Sequence, residues 1–132
     1  YFPGATIVPI MIGEEHNQAL VDELEISLSQ VFSEYNGRLM IIGTVDFAHY
    51  LDEETTVAHD LVTKELIVNK DYSHLLPLSD GYIDSPSVLV LTMRLLEAYD
   101  ISLLGETNSK TILGYEGSEG MTSYQSYIFE KE

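Results

Sequence analysis

The chain has 132 residues, a length that suits one domain and leaves no room for two. Hydrophobic residues make up 45% and charged residues 21%, an ordinary globular composition that excludes a disordered tail. Twenty-two Asp and Glu face 6 Lys and Arg, for a formal net charge of -16, which repels nucleic-acid backbones and anionic membrane surfaces. The absence of Cys excludes disulfide frameworks, thiolate metal sites and cysteine nucleophiles, and it fits a cytoplasmic protein. No apolar run approaches the length of a membrane span. The opening Tyr1-Phe2-Pro3-Gly4 has no initiator Met and no signal-peptide order, so the residues are expected to continue a longer parent sequence.

Residues 5–12 (Ala-Thr-Ile-Val-Pro-Ile-Met-Ile) are apolar on both faces and close on Gly13, the pattern of a buried parallel strand. Pro9 places that strand at an edge or a bulge. An amphipathic helix is expected over 14–32, with Leu20, Val21, Leu24, Leu28, Val31 and Phe32 inward and acids in its first half. Asn36-Gly37 ends it, and residues 38–45 form a second buried strand. A polar-aromatic loop over 46–51 leads to a second helix over 52–69, with Asp52 as N-cap and Val57, Ala58, Leu61, Val62 and Leu66 as its apolar stripe.

Residues 71–84 read as irregular, with one helical turn around His74. Ser85-Pro86, a capping hydroxyl followed by Pro at the first helical position, opens a third helix that ends near Tyr99. Strands over 101–104 and 123–129 follow, separated in part by a loop over 115–121 that contains Gly117 and Gly120. Alternating strands and helices point to an α/β fold, with helices on both faces of a mostly parallel sheet, and to one unit over 1–132.

In such sheets ligands bind beyond the carboxyl ends of the strands. There the second strand runs into Asp46-Phe47-Ala48-His49-Tyr50. An imidazole and a carboxylate three residues apart can share one pocket, with His49 as general base and Asp46 orienting it or binding a metal. The plainer reading has Asp46 capping a turn and His49 lying half-buried at the surface. Asp84, beside the start of the third helix, can serve as a carboxylate ligand, although Asp-Ser-Pro is also ordinary helix-start grammar. His16 is expected to face solvent, His59 to share the polar side of the second helix with Thr56, Asp60 and Thr63, and His74 to lie at the periphery. Glycine-rich phosphate loops, nucleophile elbows and two-histidine zinc helices are absent from the sequence.

Ile7-Val8-Pro9-Ile10-Met11-Ile12-Gly13, followed by Ile41-Ile42-Gly43-Thr44-Val45-Asp46-Phe47-Ala48-His49-Tyr50, resembles the Memo-like family, which includes the proteins called AmmeMemoRadiSam system protein B. Asn108-Ser109 and the Tyr-bearing end from Ser123 to Phe129 agree with that family's ending. The family is in turn similar to class III extradiol dioxygenases, which bind a non-haem metal. The resemblance implies a three-layer α/β/α fold of which these residues are the C-terminal half. It implies a metal-dependent oxidoreductase or dioxygenase-like enzyme on a small organic substrate, with His49 and Asp46 in the catalytic pocket. Asp46, His49 and Asp84 would be the metal residues here.

Three departures accompany it. Thr44-Val45 replaces two Ser, Asp84 falls about where many members have a metal-binding Cys, and two His ligands that the family's first half supplies are missing. A carboxylate at position 84 moves the preference toward hard metals, iron(II) foremost. The alternative is a non-catalytic member that binds a ligand or a protein partner. Unpaired strand edges also favour homodimerisation.

Overall fold

The computed structural model describes residues 3–13, 17–35, 38–114 and 120–131. The expected helix start at Glu14-Glu15, His16, the Asn36-Gly37 stop and most of the 115–121 loop lie outside the described residues. The elements are α1 (Gln18–Glu34), α2 (Glu53–Val68), α3 (Tyr72–Leu75), α4 (Pro86–Leu95), β1 (Asp100–Asn108), α5 (Ser109–Leu113) and β2 (Ser123–Glu130). This is a mixed α/β arrangement of helices with one small sheet.

The sheet is antiparallel, β1 against β2, in register from Asp100 opposite Glu130 to Asn108 opposite Ser123. A bulge between Leu103 and Gly105 leaves Leu104 as the extra residue. The mostly parallel sheet is not formed among the described residues. Residues 5–12 and 38–45 carry no strand pairing, and Ile7, Val8, Met11, Met40 and Ile42 are exposed. Apolar sequence favours a strand only where a neighbour supplies both the ladder and the cover. These segments lack the ladder here, and Ile12 and Val45 pack against the core while most of their other apolar side chains are uncovered.

Local grammar sets the helix starts. The Asn17 side chain accepts from the backbone N–H of Ala19 and Leu20, so α1 begins at Gln18, without acids in its first turn. Asp52 accepts from Thr55 N–H at 2.9 Å and caps α2 as expected, and that bond holds its carboxyl below the usual range. Asn108 caps α5, a short helix with no apolar periodicity to announce it. Pro86 stands at the start of α4, but the Ser85 hydroxyl makes no capping bond; its Oγ is buried without a partner. The α4 helix ends at Leu95, four residues short of the expected Tyr99, and β1 begins at Asp100.

The core gathers Val21 of α1, Phe47, Ile67 of α2, Leu75 of α3, Ile83, and Val90 and Met93 of α4. Arg94 ties α4 to α1 by a bond to Asp22 Oδ1 at 2.7 Å and a second to Glu25. The orientation of α2 overturns the expected stripe except at Leu66. Thr56, Thr63 and Ile67 are the buried positions, while Val57, Leu61 and Val62 are 51%, 60% and 41% exposed. Burial of the threonines is tolerable because each hydroxyl donates to the carbonyl four residues back, Thr56 to Asp52 and Thr63 to His59. Val57, Leu61 and Val62 therefore face outward, while Leu66 of the expected stripe packs against the core beside Ile67.

Candidate functional site

Residues 38–45 deliver the chain into a loop over 46–51, where Phe47 and Ala48 are buried, Asp46 is exposed and His49 is half-buried. Two anchors hold the loop. The Ser123 N–H donates to Ala48 O at 2.8 Å, and the Ser123 hydroxyl, 2.7 Å from Asp60 Oδ1, links it to α2. Leu51 and Met121 add an antiparallel bridge. Gly120 is required at its place, since a Cβ there would meet the Tyr50 carbonyl carbon at 2.5 Å.

The His49 ring is oriented from behind. Its Nδ1 lies 2.9 Å from Phe47 O, and because a carbonyl oxygen only accepts, Nδ1 carries the proton. That leaves Nε2 as the reactive atom, 3.5 Å from Asp80 Oδ2. Asp80 is 80% exposed, so the pair opens to solvent on the carboxylate side. Tyr50 stands edge-on to the imidazole at 5.2 Å between ring centroids, and its backbone is left-handed at φ 57°. A bulky residue in that region is strained, and the conformation persists because the loop on both sides is tied down.

The loop over 79–84 faces this one. Asp84 N–H donates to Asp46 O at 3.0 Å, and Asp84 Oδ1 accepts from Asp46 N–H, also at 3.0 Å. His59 of α2 donates from Nδ1 to Gly81 O at 2.8 Å and stacks on Tyr82 at 3.7 Å and 11°. His59 is therefore half-buried between α2 and this loop rather than on an open polar side of α2. His74 sits at the end of α3, exposed, with Nδ1 2.8 Å from Asp71 Oδ2.

The structure thus brings Asp46 and Asp84 together through the backbone, and it joins the His49 imidazole to Asp80. Spacing along the chain gave no sign of Asp80, because 31 residues separate it from His49. Asp60 and Ser123 were equally invisible as supports of the His49 loop. Burial pushes the Asp60 carboxyl above the usual range, against the opposing effects of the Ser123 bond and the Lys64 charge.

Among the described residues no group of three or more His, Asp and Glu is placed to hold a metal ion. One oxygen of Asp84 is engaged by the Asp46 amide, and one nitrogen of His49 by the Phe47 carbonyl. The described residues do not by themselves fit a metal centre. As a chemical unit the arrangement offers a proton acceptor or donor at His49 Nε2, with a carboxylate beside it. Among the same residues no helix is long and apolar enough to cross a membrane.

No protein-family model matches the chain, and no solved structure matches it. The chain is similar to a MEMO1 family protein of Caldivirga maquilingensis, with 26% identity over 121 residues. The match covers 92% of this chain and 36% of that protein, so the chain spans about a third of the length of the curated relative it matches. That distant similarity, over nearly all of these residues, supports the Memo-like family for this chain.

Proposed function

We propose that this chain is the C-terminal half of a Memo-like domain and that the whole protein is a cytoplasmic, metal-dependent, dioxygenase-like oxidoreductase acting on a small organic substrate. His49 Nε2 carries this reading. The Phe47 carbonyl orients the ring, the Asp60–Ser123 pair ties its loop, and Nε2 emerges beside Asp80 at the end of residues 38–45. In the parent polypeptide residues 5–12 and 38–45 become strands of a mostly parallel sheet in a three-layer α/β/α fold. Their exposed Ile7, Met11, Met40 and Ile42 support this, because such side chains need cover that these residues do not supply.

His49, Asp46 and Asp84 are the residues proposed to contribute to a divalent metal, iron(II) foremost, with further ligands from other parts of the parent chain. Such a metal would supply Lewis-acid or redox chemistry. This chain's own part is to hold His49 Nε2 for binding or for proton transfer.

Elemental analysis of the full-length protein, purified without added metal, tests the reading beside His49→Ala. Near-stoichiometric divalent metal, lost in the variant, is the expected result. Equal metal content in the two proteins overturns the metal role of His49. A folded, metal-free wild type favours the second reading, a non-catalytic member that binds a ligand or a protein partner.

A further inference from the structure

Between α2 and the corner where β1 meets α5 lies a cleft of about 360 Å³ that contains none of Asp46, His49 and Asp84. Val57 and Leu61 of α2 form one wall and Met121 part of the lining. Here part of the outward apolar side of α2 acquires a context, since two of its exposed residues border a concave space. The polar lining includes Asp60, Lys64 and Glu106.

Those charges do not balance. Lys64 forms an ion pair with Glu106, joining α2 to β1. Asp60 has the Ser123 hydroxyl on one oxygen, with the Lys64 charge and, more weakly, the Gln125 side chain also acting on it. Two carboxylates therefore meet one ammonium group, in a protein of net charge -16. Burial already makes the Asp60 charge costly, so a second cation in the cleft relieves an existing penalty. The volume lies at the small end of the range of ligand pockets, and the lining residues are mostly polar, with Val57, Leu61 and Met121 as the apolar part.

We propose that this cleft binds a small organic cation, a primary amine on a short apolar body, with the ammonium group against Asp60 and Glu106 and the hydrocarbon against Val57, Leu61 and Met121. The proposal uses none of Asp46, His49 and Asp84, the residues of the metal reading, although Asp60 also braces the loop that carries His49.

The test is titration of the full-length protein with n-pentylamine, followed by amide chemical shifts, beside pentanoate and pentanol at the same ionic strength. Saturable shifts for n-pentylamine concentrated at Thr107, Thr111 and Met121 are expected, and none of comparable size for pentanoate. Asp60→Asn should weaken n-pentylamine binding about tenfold, the scale of one charge-assisted hydrogen bond. Glu106→Gln supplies the same comparison at a surface-exposed position if Asp60→Asn fails to fold. Glu23→Gln, an exposed acid on α1, controls for general attraction to the acidic surface and should leave binding unchanged. Equal response to pentanoate, shifts spread over the acidic surface without focus on the cleft, or wild-type affinity in whichever of the Asp60 and Glu106 variants folds would each overturn the proposal.

Discussion

Asp46 and Asp84 exchange two hydrogen bonds: the Asp84 amide donates to the Asp46 carbonyl, and the Asp84 carboxylate accepts from the Asp46 amide, both at 3.0 Å. The pair couples the loop that carries His49 to the loop that carries Asp80 across a separation of 38 residues. Asp84→Ala removes the acceptor and leaves the Asp46 amide without it, at a cost of about 1–3 kcal/mol. Asp84→Asn keeps an acceptor oxygen and should stay within about 1 kcal/mol of wild type. Urea unfolding of the two variants measures the difference. If Asp84→Asn keeps stability and loses metal in the full-length protein, Asp84 has a ligand role beyond this structural one.

Gly120 touches the site from the far side. A methyl group there meets the Tyr50 backbone rather than a flexible side chain, so Gly120→Ala should cost about 1–3 kcal/mol, the range for overpacking. Unfolding midpoints measure the loss. The variant should also reduce the hydrogen-exchange protection of Met121 N–H, which donates to Leu51 O at 2.8 Å. Unchanged protection would show that the loop accommodates the methyl group.

The Asp60 carboxyl gives a pH signature. Its folded-state pKa is raised from 3.8, chiefly by burial, so the folded chain binds the proton more tightly than the unfolded chain does. The stability it contributes is greatest with the group protonated and is lost as pH rises from the unfolded value through the raised folded one. Asp60→Asn removes that dependence while preserving an acceptor for Ser123. Its stability relative to wild type should therefore be higher at pH 7 than at pH 4, read by urea unfolding at both. A difference independent of pH would contradict the direction of the shift.

Arg94 reports on the docking of α1. Its guanidinium reaches Asp22 and Glu25 together, a fork that an ammonium group cannot reproduce. Arg94→Ala and Arg94→Lys should both lower stability, the lysine less, and both should increase amide exchange in α1 before the rest of the molecule. Asp22, whose carboxyl is held below its ordinary value by Arg94 first and Gln18 second, contributes stability present above about pH 3.8 and lost as pH falls through its lower folded value. That acid-side loss should be reduced in Arg94→Ala. Equal exchange in α1 across the three proteins would remove Arg94 from the docking.

Much of the local structure was legible in the residues. Asp52 capping α2, Pro86 opening α4 and the alternation from Ser123 onward are short-range signals whose physics is complete within a few residues. The loop over 46–51 was legible too, because an apolar run gives way there to Asp46-Phe47-Ala48-His49-Tyr50, although the strand expected before it is not formed among the described residues. The orientation of α2 was not. Its apolar residues define one stripe, yet Thr56 and Thr63 are buried, since their hydroxyls are satisfied by the carbonyl groups of their own helix.

Sequence by itself determined the acidic balance, the helix boundaries near good caps, and the identity of His49 as the imidazole of the loop. Tertiary structure alone decided that Asp80 is its partner, that Asp60 and Ser123 brace it, and that β1 and β2 pair antiparallel. It also decided that residues 5–12 and 38–45 stand unpaired. The physical reason is the range of the interactions. A cap or a turn is settled by neighbours along the chain, whereas a charge pair, a buried face or a strand ladder depends on partners brought from far along the chain.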